Sequence, residues 1–362
     1  MVKLDNVTKS FNEVVAVDNI NLDLKKGEIF SLLGPSGCGK TTTLRIIGGF
    51  ENPDTGEIYI DDQLVTNVPP YKRDCSTVFQ NLALFPHMTV AENLSFGLEM
   101  RKVGSNEIKE KISEILNLVR LEGMQDRLPE QLSGGQMQRV ALARSLVLEP
   151  KVLLLDEPLA ALDRKLRKEM QAELKQIHEN VGLTFLYVTH DQKVALGISD
   201  RIGIMRNGKL DQIGPPSVLY QRPATIFVAD FMGGTNILKV KGSNREFDNQ
   251  LYFETHSGLK INTDLQNDHR TDVAAVSIRP EKIKLYPKEK KVKEDNTFRG
   301  TILAVVYQGD FTEVDIILDQ EKEKMVVHFF YTKGVSATEK WLSIGQQVVL
   351  GWDSRDTIPL SP

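Results

Sequence analysis

The stretch Gly34-Pro35-Ser36-Gly37-Cys38-Gly39-Lys40-Thr41 decides how the amino-terminal part of this chain folds. An apolar segment at residues 29–33 precedes it, and a helical pattern opens near Lys40. Between them, three glycines let the backbone wrap closely and turn N–H groups toward phosphate oxygens at the start of the helix, where the helix dipole also favours negative charge. Lys40 would reach the β- and γ-phosphates of a nucleotide and the Thr41 hydroxyl would coordinate Mg2+, with Thr42 completing the nucleotide-binding set. An ordinary strand-to-helix turn is the structural alternative, and the flanking strand and helix weigh against it. The spacing arises by chance in about one chain of this length in a hundred. Cys38 fills a variable position of the loop and takes no chemistry of its own.

Four more signals follow. The run Lys151-Val152-Leu153-Leu154-Leu155 reads as a fully buried strand, so Asp156 and Glu157 fall at its C-terminal edge, where ligands of open α/β sheets collect. There Asp156 would hold Mg2+ through water and Glu157 would orient and deprotonate an attacking water. The alternative is a solvated acidic pair. Leu132-Ser133-Gly134-Gly135-Gln136 opens a helix with Ser133 as its N-cap. Gln80 after Thr77-Val78-Phe79, and His190 in Thr189-His190-Asp191, are weak alone: such a Gln is more often a surface amide and a lone His more often structural. Their positions among the other motifs reverse that reading.

A chain of 362 residues with 41% hydrophobic residues suggests two domains, each with a substantial core. The net charge of -4 gives no support for a nucleic-acid surface. Cys38 and Cys75 alone make no disulfide framework and no metal-ligand spacing, which suits a reducing compartment. No apolar signal region opens the sequence, and no run approaches the roughly 18 apolar residues a membrane helix needs. Before Gly233-Gly234, strands alternate with helical patterns as in an α/β domain with a largely parallel sheet. A helix is expected over residues 162–180 with Leu162, Leu166, Met170, Leu174 and Ile177 toward the core, and another stretch carries Ile108, Ile112, Ile115 and Val119 on one side. After Thr235, strands are expected at 274–278, 300–307, 314–318, 325–330 and 347–352, as in a small barrel or sandwich, with 288–295 a solvated charged loop.

In this order the five motifs resemble the nucleotide-binding subunit of ATP-binding cassette (ABC) transporters, and the resemblance spans essentially the whole chain. It implies an α/β P-loop NTPase domain of the ABC ATPase type over residues 1–234, with a helical subdomain at about 88–148. A small all-β, OB-like regulatory domain follows over 235–362, where Ser277-Ile278-Arg279-Pro280-Glu281 carries the likeness. ATP and Mg2+ are the implied cofactors. Lys40, Gln80, Glu157 and His190 would be catalytic; Thr41, Gln80 and Asp156 would serve the metal; His190 would contact the γ-phosphate and Gln80 would relay motion to the membrane subunits. Phe11 matches the aromatic that stacks on adenine, an apolar core Phe being the alternative. Ser133, Gly134, Gly135 and Gln136 would bind the γ-phosphate held by the other subunit of a head-to-tail homodimer. Asp163 ends the loop Leu159-Ala160-Ala161-Leu162-Asp163, which would cross to that partner. The chain departs from close relatives at Ala160, usually Ser, and at Lys193-Val194, often acidic.

The segment from Thr77 to Val90, with Glu92-Asn93, Phe96-Gly97 and Pro69-Pro70-Tyr71-Lys72-Arg73-Asp74, looks closest to importer ATPases for spermidine and putrescine. Importers of ferric iron, sugars and phosphonates share most of it. The resemblance implies two transmembrane permease subunits, a solute-binding protein outside the membrane reached through them, no nucleic acid, and a peripheral place on the cytoplasmic face of the inner membrane. Leu84, Phe85 and Pro86 would border the groove for a permease helix, or else be buried in the helical subdomain. A soluble ABC ATPase of translation or repair would show tandem cassettes, zinc cysteines or coiled-coil arms, and a pure scaffold would tolerate loss of Lys40 or Glu157; neither pattern is seen. Val326, Val327 and Phe329 would either hold a dimer together or fill the core of the β domain.

Overall fold

The computed structural model describes residues 1–160, 162–241, 245–247, 250–264, 272–320, 323–330 and 341–362. Ala161 of the loop expected to cross to a partner lies outside the described residues. They form two compact units, Met1–Ser217 and Val218–Pro362. The first runs β1 (Val2–Phe11), β2 (Val14–Leu24), β3 (Ile29–Leu33), α1 (Lys40–Gly48), β4 (Thr55–Ile60), β5 (Gln63–Leu64), β6 (Cys75–Val78), α2 (Val90–Met100), α3 (Ser105–Leu118), α4 (Gly134–Leu146), β7 (Val152–Asp156), α5 (Arg164–Val181), β8 (Thr184–Thr189), α6 (Gln192–Ile198), β9 (Arg201–Arg206) and β10 (Lys209–Gly214).

The central sheet has the order β10-β9-β3-β8-β7-β6 and is parallel except where β10 meets β9. Its inner strands β3, β8 and β7 are buried along their whole length because both faces are covered there. Val152 and Leu154 of β7, Leu186 and Val188 of β8, and Phe30 and Leu32 of β3 enter one core with Leu44, Ile46 and Ile47 of α1. Leu153 and Leu155, Phe185 and Tyr187, and Ile29 point the other way, into a core with Leu94, Val140, Ala143 and Leu174. The helix expected at 162–180 is α5, with Met170, Leu174 and Ile177 buried and Leu162 and Leu166 packed at the margin. On α3 and just beyond, Ile108, Ile115 and Val119 are buried and Ile112 is partly so.

A second sheet, β2-β1-β4-β5, is antiparallel and was not anticipated. Its alternation is hard to read because β1 and β2 shift register between Leu4 and Val7, between Val7 and Lys9, and between Lys9 and Ser10. Asn6, Asn12 and Asn19 also carry positive φ there.

In the second unit α7 (Pro216–Gln221), whose first residues belong to the unit before, and α8 (Ile226–Phe231) lead into strands. These are β11 (Asn236–Lys239), β12 (Arg245–Phe247), β13 (Gln250–Glu254), β14 (Lys260–Thr263), β15 (Ala275–Ile278), β16 (Lys284–Pro287), β17 (Asn296–Tyr307), β18 (Thr312–Leu318), β19 (Lys324–Phe329), β20 (Gln347–Trp352) and β21 (Ile358–Leu360). From Asn236 onward it is an all-β, OB-like domain built on the antiparallel sheets β16-β20-β17-β18-β19, β11-β15-β21 and β12-β13-β14. Trp352, Phe253 and Val327 are fully buried in its core and Phe329 packs on that core, so these apolar strand residues serve the domain itself. The charged loop is partly bound: Glu294 accepts from Tyr286 Oη at 2.5 Å and Lys284 Nζ at 3.1 Å.

The unit begins earlier than the change of sequence character at Gly233-Gly234 because Arg279 ties α7 and α8 to the strands. Its buried guanidinium lies 4.1 Å from the Tyr220 ring centroid. It donates to Tyr220 O at 2.9 and 3.1 Å, to Ala229 O at 3.1 Å and to Gly233 O. Arg279→Ala strands these carbonyls, and the expected loss is about 3 kcal/mol, with Arg279→Lys recovering less than half because an ammonium cannot fork. Chemical denaturation of the full chain measures it; an unchanged midpoint removes Arg279 from this role.

Candidate active site

Four neighbouring strands of the central sheet, β3, β8, β7 and β6, run parallel, so their C-terminal ends lie side by side at one edge. The glycine-rich loop leaves β3, His190 follows β8, Asp156 and Glu157 end β7, and Gln80 lies just past β6. Four motifs spread over the sequence thus meet at the edge where open α/β sheets bind ligands.

The loop demands glycine for steric reasons. Gly37 has φ +78° and Gly39 φ +106°, and a Cβ on Gly39 would press into the Ala16 carbonyl oxygen while one on Gly37 would meet nothing. Pro35, Ser36 and Gly37 are exposed; Gly34, Cys38, Gly39 and Lys40 are buried. Lys40 Nζ folds back to donate to Gly34 O at 2.9 Å and Pro35 O at 2.8 Å, holding a cation inside the ring of backbone. Cys38 Sγ stands 3.8 Å from that amine, and burial pushes its thiol pKa up against the pull of Lys40.

The alternation of β7 decides what the carboxylates can reach. Asp156 continues the face of Val152 and Leu154, toward α1, and Thr41 Oγ1 donates to Asp156 Oδ1 at 3.0 Å. Burial pushes the Asp156 carboxyl above its ordinary range; the Thr41 bond opposes this and the Glu157 charge adds to it. Glu157 leaves the strand with φ +47°, donates its N–H to Val188 O at 3.0 Å, and brings Oε1 to 2.9 Å from His190 Nδ1. A carboxylate held by an imidazole at a strand end can take a proton from water. Gln80, two residues past the end of β6, is exposed.

Other expected site residues stand apart. Ser133 and Gln136 bond reciprocally in a capping box, Ser133 N to Gln136 Oε1 at 2.8 Å and Gln136 N to Ser133 Oγ at 3.3 Å. Gly134 and Gly135 face Leu162 and Leu166. Asp163 caps α5 by accepting from Lys165 N and Leu166 N at 2.9 and 3.1 Å. Phe11 is 43% exposed at the end of β1, too open for a core residue, with Lys9 Nζ 5.3 Å from its ring centroid. Leu84 packs on the helical core and Phe85 stands 4.8 Å from Phe96, while Pro86 is exposed.

Sequence reading gave no role to Arg73 and Arg167, which bond to elements that adjoin the site. Arg73, buried, ends α1 by donating to Ile46 O and Ile47 O, both at 2.7 Å. Arg167 pairs with Asp191 at 2.9 Å and donates to Leu162 O at 2.9 Å. Nothing in the sequence near them names their carbonyl partners. The loop itself generates a contrast: Gly37→Ala meets only the cost of positive φ, about 1 kcal/mol, whereas Gly39→Ala adds a backbone clash and is expected to cost about 3 kcal/mol. Denaturation midpoints of the two variants test it, and equal losses would refute the proposed contact with Ala16.

The family described as ABC transporter matches residues 17–160, and the TOBE domain matches residues 276–360. The spermidine/putrescine import ATP-binding protein PotA of Rubrobacter xylanophilus is 46% identical over 362 residues, 99% of this chain and 93% of the relative. Its counterpart in Trichormus variabilis is 50% identical over 313 residues, 85% of this chain and 81% of the relative. Among solved structures, the dimeric ATP-binding cassette MJ0796 bound to ADP and Pi is 36% identical with a TM-score of 0.53, covering 60% of this chain and 99% of that one. CbiO1 of Clostridium perfringens is 30% identical with a TM-score of 0.56, covering 60% and 88%. With a glycine-rich loop and two carboxylates at one sheet edge, and with import ATP-binding relatives 46% and 50% identical over 99% and 85% of this chain, the chain belongs to the family of ATP-hydrolysing, ATP-binding proteins of ABC transporters that carry a C-terminal TOBE domain.

Proposed function

We propose that this chain is the ATP-hydrolysing subunit of an importer for spermidine and putrescine. The observation that carries the reading is the near full-length likeness to import ATP-binding proteins of that name. Residues 34–42 bind the phosphates, with Lys40 turning from Gly34 O and Pro35 O to the β- and γ-phosphates, and Phe11 stacks on adenine. The donor set suits Mg2+: the Thr41 hydroxyl and Asp156 carboxylate are hard oxygen ligands already 3.0 Å apart, and the Gln80 amide adds another. When bound, the metal offsets charge on the phosphates. Glu157, held by His190, takes the proton of the attacking water.

Ser133, Gly134 and Gly135 complete the site of a second copy of the chain, so two ATP molecules join a homodimer head to tail. The capping box occupies the Gln136 side chain and uses the Ser133 hydroxyl oxygen as an acceptor, which leaves the Ser133 O–H and the remaining first-turn N–H groups to donate to phosphate. Among the described residues no helix is long and apolar enough to cross a membrane. Two permease subunits hold the protein at the cytoplasmic face of the membrane, and a solute-binding protein reaches it only through them.

Glu157→Gln is expected to keep ATP binding, lower turnover by about 100-fold or more, and leave an ATP-bound dimer that fails to open. Lys40→Ala weakens nucleotide binding instead. Equilibrium binding with sedimentation decides; normal turnover in Glu157→Gln removes that residue from the catalytic role. Competition uptake in cells with and without the protein tests the solute: spermidine and putrescine uptake should fall on deletion. Loss of iron, sugar or phosphonate uptake alone would overturn the polyamine assignment and leave the importer reading standing.

A further inference from the structure

The loop after β6 makes a turn that its own sequence does not favour. Leu82 and Ala83 both have positive φ, +60° and +48°, though neither is glycine. The turn closes around Gln80: Leu82 N donates to Phe79 O at 2.8 Å and Ala83 N to Asn81 O at 2.7 Å. Strain of this kind persists only where surrounding groups over-determine it. Two side chains from different helices do so. Arg144 of α4 donates Nη1 to Ala83 O at 2.7 Å and Nη2 to Leu82 O at 3.0 Å, and its guanidinium carbon lies 5.4 Å from the Phe85 ring centroid. Asn93 of α2, fully buried, accepts from Phe85 N at 2.9 Å and donates to Phe85 O, Met88 O and Thr89 O at 3.0 to 3.1 Å.

We infer that Arg144 is a positioning residue that clamps the strained Gln80 turn to α4, the helix opened by Ser133, so that movement of that helix is transmitted to Gln80. The guanidinium is suited to this because its planar fork meets two successive carbonyls at once, which an ammonium cannot. The clamp itself rests on the geometry; its consequence for turnover rests on the proposed role of Gln80 in hydrolysis.

Hydrogen–deuterium exchange and ATP turnover of the full chain test it together. In Arg144→Lys, amides of residues 80–89 are expected to exchange about tenfold faster while α2 and the rest of α4 change less than about twofold. Turnover should fall about fivefold with the KM for ATP within about twofold of the original. Adding Ala83→Gly, which removes strain at positive φ, should restore at least half of both losses, a rescue that simple weakening of α4 would not give. Unchanged exchange in 80–89, equal acceleration throughout the helices, or no rescue overturns the clamp. Faster exchange with unchanged turnover keeps the clamp and overturns the role of Gln80. Should Arg144→Lys not fold, Phe85→Leu, which spares both carbonyl bonds, is expected to give about threefold faster exchange confined to 80–89, and none would overturn the inference.

Discussion

Everything in the amino-terminal unit depends on a central sheet that is buried on both faces. Because side chains alternate along a strand, each of β3, β7 and β8 must supply apolar groups to two cores at once, and no charged side chain is tolerated until the strand ends. Charge therefore collects at the termini. The parallel order then turns a constraint on burial into a site, since parallel neighbours release their last residues at the same edge. A slip of one residue in β7 would turn Asp156 away from Thr41 and set apolar groups against the wrong core.

A second constraint is the supply of donors to buried carbonyls. Helix ends and tight turns leave C=O groups without partners, and these cannot stay buried alone. This chain answers repeatedly with arginine: Arg73 at the end of α1, Arg144 on the turn after Gln80, Arg167 on Leu162, and Arg279 on the segment that leads into the β domain. Arg73, Arg144 and Arg279 satisfy carbonyls far from them in sequence, Arg167 joins the nearby Leu162 carbonyl to the distant Asp191 carboxylate, and each planar group reaches two or more oxygens. The loops beside the site are held by such bonds together with the packing of Leu82, Leu84, Leu159 and Leu162 on the core.

The nucleotide loop, the buried strand with its two carboxylates, the capped helix at Ser133 and the strands of the β domain were legible because each is a local pattern: glycine spacing, an apolar run, a capping residue, a period of two. The helix at Arg164–Val181 was legible for the same reason, with apolar residues at helical spacing over four turns. The antiparallel sheet of β1, β2, β4 and β5 was not, because bulges and positive-φ asparagines break its alternation. That residues 218–234 go with the β domain was hidden too, since the bonds of Arg279 to carbonyls some fifty residues back leave no local pattern.

What the sequence by itself determined is a set of local patterns, the glycine-rich loop, the buried strand ending in two carboxylates and the capped helix, and that they belong to an ATP-binding protein of the ABC transporter type. Residue types at short spacing carry that information, because glycine freedom, helix capping and strand burial act over a few residues. Tertiary structure alone decided which of them meet. The order β3-β8-β7-β6 brings Lys40, His190, Glu157 and Gln80 to one edge, while Ser133 opens a separate helix and Asp163 caps another. Strand order is set by how two cores close around a sheet, a property of the whole unit that no local pattern encodes.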